Sequence, residues 1–313
     1  MYRIGVVTLN GFALMSYASV VEPIRAANLL SEKPLYEIIN ITRLSVGAKS
    51  SSGALIAGDK LIGDDIMLDL LLVVAGGDPF LVDDKKLFNW LNRMAKFGTI
   101  IGGVSGGPVL LVKSGVMSDR RMTVHWEHAE ALSEMVTNVI LERSLYVIDR
   151  DRMTCAGGTA PIDMMLALIS ANQGAVFAQF VGDWFLHNEI RPSGGAQRGR
   201  LADRIGSNNI VVVNAVELME NHLADPLTLV QLSSLVGISE RQINRLFKSN
   251  LGKSTMTYYR GIRIEMARNL LRNSALKVSE IAEATGFSNP SHLSGVFSEI
   301  YGYPPSKYRF DSY

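Results

Sequence analysis

At 313 residues, with 47% hydrophobic and 19% charged, the chain has the length and apolar content for two globular cores. A single cysteine excludes an internal disulfide framework, no apolar run reaches the roughly 18 residues of a spanning helix, and "MYRIGVVTLNGF" is not a signal peptide, so a soluble cytoplasmic protein is expected. The net charge of +1 hides an asymmetry: residues 1–190 carry 16 Lys and Arg against 20 Asp and Glu, whereas residues 191–313 carry 15 against 10, the charge balance of a part that neutralises phosphates.

Residues 3–9, "RIGVVTL", are a short apolar run before turn residues and predict a buried strand. "GFALMSYASVVEPIRAANLLS" leads from a loop into a helix. "LYEIINIT" predicts a second strand, "ALIAGDKLI" a strand or hairpin, and "DLLLVVAGGDPF" a continuous apolar strand closed by Gly-Gly-Asp-Pro. "KKLFNWLNRMAKFG" is an amphipathic helix with a glycine stop. "TIIGGVSGGPVLLVKSGVM" and "MTCAGGTAPIDMMLALIS" each read as strand, glycine-rich turn, helix. Alternating strands and helices predict a parallel sheet with both faces covered, and its function sits at the carboxyl ends of the strands. Cys155, on an apolar strand before Gly157 and Gly158, is expected to be buried and inert. The Arg-, Gly- and Ser-rich stretch 191–209 is expected to link this domain, residues 1–190, to a helical one, residues 210–313. Pro226 and Thr228 mark a helix boundary there, with Thr228 as N-cap.

The helical part contains a repeat. "LTLVQLSSLVGISERQINRLFKSNLG" and "KVSEIAEATGFSNPSHLSGVFSEIYG" each hold a short helix, a Gly-apolar-Ser break, and a second helix with Phe five residues before a closing Gly. The breaks, at Gly237 and Gly286, lie 49 residues apart. Helix, tight glycine turn, helix is the helix-turn-helix arrangement. Together with the tail "GYPPSKYR", the pair resembles the AraC family of transcription regulators over roughly the last hundred residues. That resemblance implies double-stranded promoter DNA as a partner, and RNA polymerase as a possible second one. On the first recognition helix, residues 240–249, Ile243, Leu246 and Phe247 make the buried stripe. Arg241, Asn244, Arg245 and Lys248 lie on the other face, either reading bases in the major groove or simply solvated. The second helix offers Ser291, His292 and Ser294, with Gly295 where the family usually has an arginine. Arg260, Lys307 and Arg309 are candidate phosphate anchors.

"EPIRAANLLS", "VVAGGDP", "VSGGPVLLVKSGVMSDRRMTVHWEH", "CAGGTAPIDMMLALI" and "QRGRLADRIG" resemble the class I glutamine amidotransferase-like fold, in its PfpI-type branch. The fold implied is flavodoxin-like, α/β, and the nearest members fuse it to an AraC-type domain. The resemblance puts the family's catalytic cysteine on Ser105, with His125 and Glu22 converging on the same pocket. A serine needs a positioned base where a cysteine has usable thiolate, so a ligand-binding relic of the enzyme pocket is expected, with catalysis and a purely structural role as the alternatives. The amides of Gly106 and Gly107 at a helix N-terminus suit a carboxylate, and Glu22, Asp78, Glu127 and the Trp126 ring suit a cation. The matching effector is a zwitterion, and regulators of this kind answer to arginine, glycine betaine or carnitine. The plainer readings are Glu22 paired with Arg25, Asp78 as a turn former, and His125 and Trp126 as core residues. No metal spacing and no cofactor motif is present. The whole reads as a non-enzymatic activator, a homodimer through its first domain, with no membrane segment.

Overall fold

The computed structural model describes residues 1–135, 138–274 and 276–311, the last three by backbone alone. The chain divides into two compact units, residues 1–197 and 198–313. In the first, β1 (Tyr2–Thr8) leads through α1 (Leu14–Leu30) to β2 (Tyr36–Thr42), then to the short strands β3 (Ala48–Lys49), β4 (Leu55–Ile56) and β5 (Lys60–Leu61). There follow β6 (Leu70–Ala75), α2 (Lys85–Lys96), β7 (Ile100–Ser105) and α3 (Gly107–Ser114). The remainder is β8 (Arg121–Thr123), α4 (Trp126–Met135), β9 (Ile140–Glu142), β10 (Tyr146–Asp149), β11 (Arg152–Cys155), α5 (Ala160–Gln173) and α6 (Ala175–Trp184).

Seven strands form one sheet in the order β10-β11-β7-β6-β1-β2-β5. Every neighbouring pair is parallel except β10–β11. That antiparallel edge was not foreseen. Only residues 150–151 join the two strands, and Arg150 sits at φ 57, so a hairpin forms where a parallel crossover needs a dozen residues. The "ALIAGDKLI" run also divides: β4 pairs with β3, while β5 extends the main sheet beside β2.

Side-chain alternation explains the near-continuous apolar strands. Ile4, Val6, Leu70, Leu72 and Val74 join the core built with α1, α5 and α6. The intervening Val7, Leu71 and Val73 are equally buried and face the other side. Helix α3 lies close on the sheet: a Cβ at Gly107 would stand 1.9 Å from the Val73 carbonyl oxygen, so only glycine permits this approach.

The second unit is helical: α7 (Leu201–Ile205), α8 (Ile210–Asn221), α9 (Leu229–Leu235), α10 (Glu240–Leu251), α11 (Thr255–Asn273), α12 (Val278–Ala284), α13 (Pro290–Tyr301) and α14 (Pro305–Asp311). Thr228 caps α9 and Ser239 caps α10, each in a reciprocal box with a glutamine three residues on (Gln231, Gln242). Gly252 and Gly302 end α10 and α13 in the left-handed conformation. At the second break Gly286 has φ 66, and a Cβ there would meet the Leu223 carbonyl at 2.6 Å and the Pro226 ring at 2.5 Å. Ile243 and Phe247 of α10 pack with Leu232, Val212, Val216 and Tyr259 in one core.

Residues 191–209 do not form one continuous spacer. Those up to Gln197 hydrogen-bond within the first unit, whereas Leu201 and Ile205 pack on the core of the second. Among the described residues, no helix is long and apolar enough to cross a membrane.

Candidate ligand pocket and nucleic-acid interface

Ser105 ends β7 at φ 61, a left-handed conformation that a side chain rarely adopts. The strand-to-helix elbow is therefore real strain, held by the parallel pairing of β7 with β6 on one side and β11 on the other. The turn after β11 closes over it. A Cβ on Gly157 would lie 2.7 Å from Ser105 Cβ and 3.0 Å from its Oγ, which makes glycine obligatory there. The next amide, Gly158 N–H, donates to Ser16 Oγ at 2.9 Å. Ser16, fully buried in the first turn of α1, is thus brought to the elbow, and no feature of the sequence had singled it out.

Glu22 is not brought there. It lies six residues further along α1, about 9 Å down the helix axis, and its exposed carboxylate pairs with Arg25 at 2.7 Å. The i,i+3 pairing on one helix wins because it needs no desolvation of the carboxylate. Gly106 is also corrected. Its N–H donates to the Ala75 carbonyl at 3.0 Å, so it is not available to a ligand carboxylate. Gly107 opens α3 and is buried against β6. Asp78 Oδ1 accepts from Phe80 N–H at 3.0 Å, the turn-forming role expected before a proline.

That turn delivers Pro79 against Gly106 and the Phe80 ring against His128, at 5.8 Å between centroids. His128 sits 6.0 Å from His125, which in turn is 5.2 Å from the Trp126 ring. Phe80, His128, His125 and Trp126 therefore form one wall, joined to the Ser105 elbow through Pro79 against Gly106. Burial lowers the pKa of His125, and burial followed by the neighbouring His125 lowers that of His128 to about 4, so both are neutral near pH 7. His125 Nδ1 accepts from Glu127 N–H at 3.3 Å, and the Glu127 carboxylate is 4.0 Å from the same nitrogen. A neutral imidazole held that way carries its proton on Nε2 and is a donor there. Among the described residues no hydrogen bond joins Ser105 to His125. His128 is 5% exposed, and its Nδ1 is a buried polar group with no hydrogen-bond partner. The sequence offered His128 only as one more histidine in "HWEH". Cys155, adjacent on β11, is fully buried and its thiol is pushed up to about 12 by that burial.

The segment that leaves this unit is fastened to both loops of the wall. Arg191 Nη2 donates to Thr159 Oγ1 at 3.0 Å and to the buried Asp163 at 2.6 Å, on the turn and helix that follow Gly157. His187 Nε2 meets the other Asp163 oxygen at 2.8 Å. Gln197 Nε2 donates to Thr123 Oγ1 at 3.0 Å and to the Val124 carbonyl at 3.0 Å, immediately before His125.

In the second unit, Arg241, Arg245 and Lys248 lie exposed along α10, opposite buried Ile243 and Phe247. Asn244 is instead a structural tie: its Oδ1 accepts from Thr255 N–H at 3.1 Å, holding the start of α11. Lys248 Nζ reaches the Gly252 carbonyl at 3.2 Å. On α13, Ser291 and His292 are exposed and Ser294 is half-buried. The His292 ring lies 3.0 Å from Ser288 Oγ and edge-on to Phe287. A Cβ on Gly295 would meet open space. Arg260 and Lys307 are exposed; the Arg309 side chain lies outside the described residues. Arg263, unremarked in the sequence, donates to the Thr285 and Gly286 carbonyls and lies 4.5 Å over the Phe287 ring, fixing the second turn.

Residues 5–171 match the DJ-1/PfpI family, and residues 232–310 match a helix-turn-helix domain. The HTH-type transcriptional regulator GlxA of Rhizobium meliloti (strain 1021) is 39% identical over 308 residues, which cover 98% of this chain and 95% of that one. CdhR of Pseudomonas aeruginosa, also an HTH-type transcriptional regulator, is 35% identical, covering 96% of this chain and 89% of its own. ArgR of the same species, a third such regulator, is 31% identical, covering 98% and 92%. Two solved structures share the fold: an AraC family transcriptional regulator from Pseudomonas putida (TM-score 0.53, 24% identity, 59% of this chain and 100% of that one) and a ThiJ/PfpI family protein from Pseudomonas syringae (0.55, 18%, 76% and 91%).

Proposed function

Because the chain belongs to the AraC family of helix-turn-helix transcription regulators and carries an N-terminal DJ-1/PfpI domain, we propose that a small zwitterionic effector binds at the Ser105 wall and controls promoter binding by the second unit. Arginine, glycine betaine and carnitine represent the effector class. The neutral His128 offers an unpaired ring nitrogen, Trp126 an aromatic face and Glu127 a carboxylate for the cationic end. The single observation that carries the reading is the fastening of the exit segment: Arg191 and Gln197 bond to the two loops that bracket Ser105 and His125. An effector that moves either loop biases the segment leading to the DNA-binding unit, so the two sites share a coupling free energy. A cytoplasmic homodimer through the first unit, acting as an activator with RNA polymerase, belongs to the same reading.

The experiment is a thermal-shift screen of the full chain with arginine, glycine betaine and carnitine, paired with fluorescence anisotropy on a promoter fragment. An effector at 100 times its Kd adds roughly 2.7 kcal/mol of stability. His128→Phe and Trp126→Ala are expected to abolish the shift. Gln197→Ala is expected to keep the shift and lose the effector's influence on DNA binding. An effector response on DNA that survives Gln197→Ala and Arg191→Gln unchanged would sink the coupling, and no shift with any zwitterion would sink the pocket.

A further inference from the structure

A second crevice opens along the same carboxyl edge of the sheet, beyond β1 and β2. β1 has β2 on one side and β6 on the other, so the chain reverses its direction of travel across the sheet at β1. Ligand crevices form outside the carboxyl ends of strands at such a switch point. A cavity of about 210 Å³ lies there, walled by residues that follow β1, β2 and β6 and by the start of β3. Register places its polar groups side by side: Thr8 pairs with Thr42, so Arg43 extends past the end of β1.

The polar atoms of this cavity are unbalanced in kind. Several of its acceptors are already engaged. The Leu9 carbonyl receives Phe12 N–H at 3.0 Å, Asn10 Oδ1 receives Lys49 N–H at 2.9 Å, and the Val82 carbonyl receives Lys113 Nζ at 2.6 Å. The buried Asp84 accepts from Leu87 N–H at 3.1 Å through one oxygen and from Arg43 Nη1 through the other. Side-chain donors remain beside them. Arg43, which lines the cavity, uses one guanidinium nitrogen on Asp84, and its side chain is 62% exposed. Thr8 is among the residues that line the cavity, is 0% exposed, and its hydroxyl has no hydrogen-bond partner. A buried hydroxyl without a partner is costly and points to a missing group. Leu44, Ala48 and the Val82 side chain supply an apolar surround.

We infer that this crevice binds a small aliphatic carboxylate, its oxygens taken by Arg43 and the Thr8 hydroxyl and its short carbon chain set against the apolar wall. Arg43, fixed by Asp84, presents a planar fork of donors that suits a carboxylate. The volume admits a compact metabolite and excludes anything of cofactor size. The inference does not depend on the effector pocket at Ser105.

The test is titration of the full-length protein with butyrate by calorimetry, with butyramide as its uncharged counterpart. Butyrate is expected to bind at least tenfold more tightly than butyramide. Thr8→Val, which removes the hydroxyl and keeps the shape, is expected to weaken butyrate about five- to tenfold. Arg43→Gln is expected to weaken it more than tenfold and to erase the preference over butyramide. Absence of butyrate binding at millimolar concentration, or binding untouched by both substitutions, overturns the inference. Should Arg43→Gln fold poorly because Asp84 loses its partner, Thr8→Val and the butyramide comparison decide alone.

Discussion

The two units keep their working polar groups in opposite places. In the first, Ser105, His128, Thr8 and Asp163 are buried, and their properties follow from what surrounds them. In the second, Arg241, Arg245 and Lys248 stand exposed on α10. A small effector must be desolvated and enclosed to be distinguished, whereas a charged duplex is met at the surface, where counterion release supplies the binding. Substitutions in the first unit should therefore change stability together with function, and those on α10 should change function alone.

The largest effect expected from this contrast is in acid. Folded His128 titrates near 4, against the ordinary imidazole value of 6.5, so unfolding takes up a proton between those pH values. The stabilisation is complete above pH 6.5 and is lost as pH falls toward 4, by up to about 3 kcal/mol. Denaturant melts across that window should show the loss in wild type and a flatter profile in His128→Phe. Next, Arg241→Ala with Arg245→Ala should reduce promoter affinity about a hundredfold and flatten the log–log salt slope by about 1 to 2, while the melting temperature stays put. A matching fall in stability would erase the contrast.

Asn244→Ala crosses the divide. Its side chain holds the start of α11, so the expected loss is about 1 kcal/mol of stability in urea titration, with base preference unaltered. A changed base preference would return Asn244 to the reading face. Smallest is Gly295→Arg, where the added side chain meets open space and α13 gains a cation it otherwise lacks. Binding should tighten by a few-fold, confined to the half-site under α13. α11, at 19 residues and about 28 Å, links the two helix-turn-helix units, and footprinting scores the two half-sites separately.

Legibility followed the range of the forces involved. The two helix-turn-helix breaks, the Thr228 cap and the glycine stops depend on residues within one turn or two, so their spacing carried them, whereas the Ser105 elbow came from family resemblance. The parallel sheet followed from continuous apolar runs. The two-residue β10–β11 hairpin was missed because its sequence, charged on both sides of Arg150, has no apolar alternation to mark it. Glu22 was placed in the pocket on family resemblance alone; on α1 the pocket-facing position belongs to Ser16, six residues earlier.

The sequence by itself determined two domains and a doubled DNA-binding motif with an uneven distribution of cations, and its family resemblance put a serine where the related enzymes keep a cysteine. Tertiary structure alone decided which groups remain available. Gly106 N–H goes to Ala75, Asn244 to Thr255 and Asp78 to its own turn, while His128 Nδ1 and Thr8 Oγ1 are left without partners. The reason is physical. A local pattern states what a residue can donate or accept, but a buried hydrogen bond is settled by which partner the folded chain brings within about 3 Å.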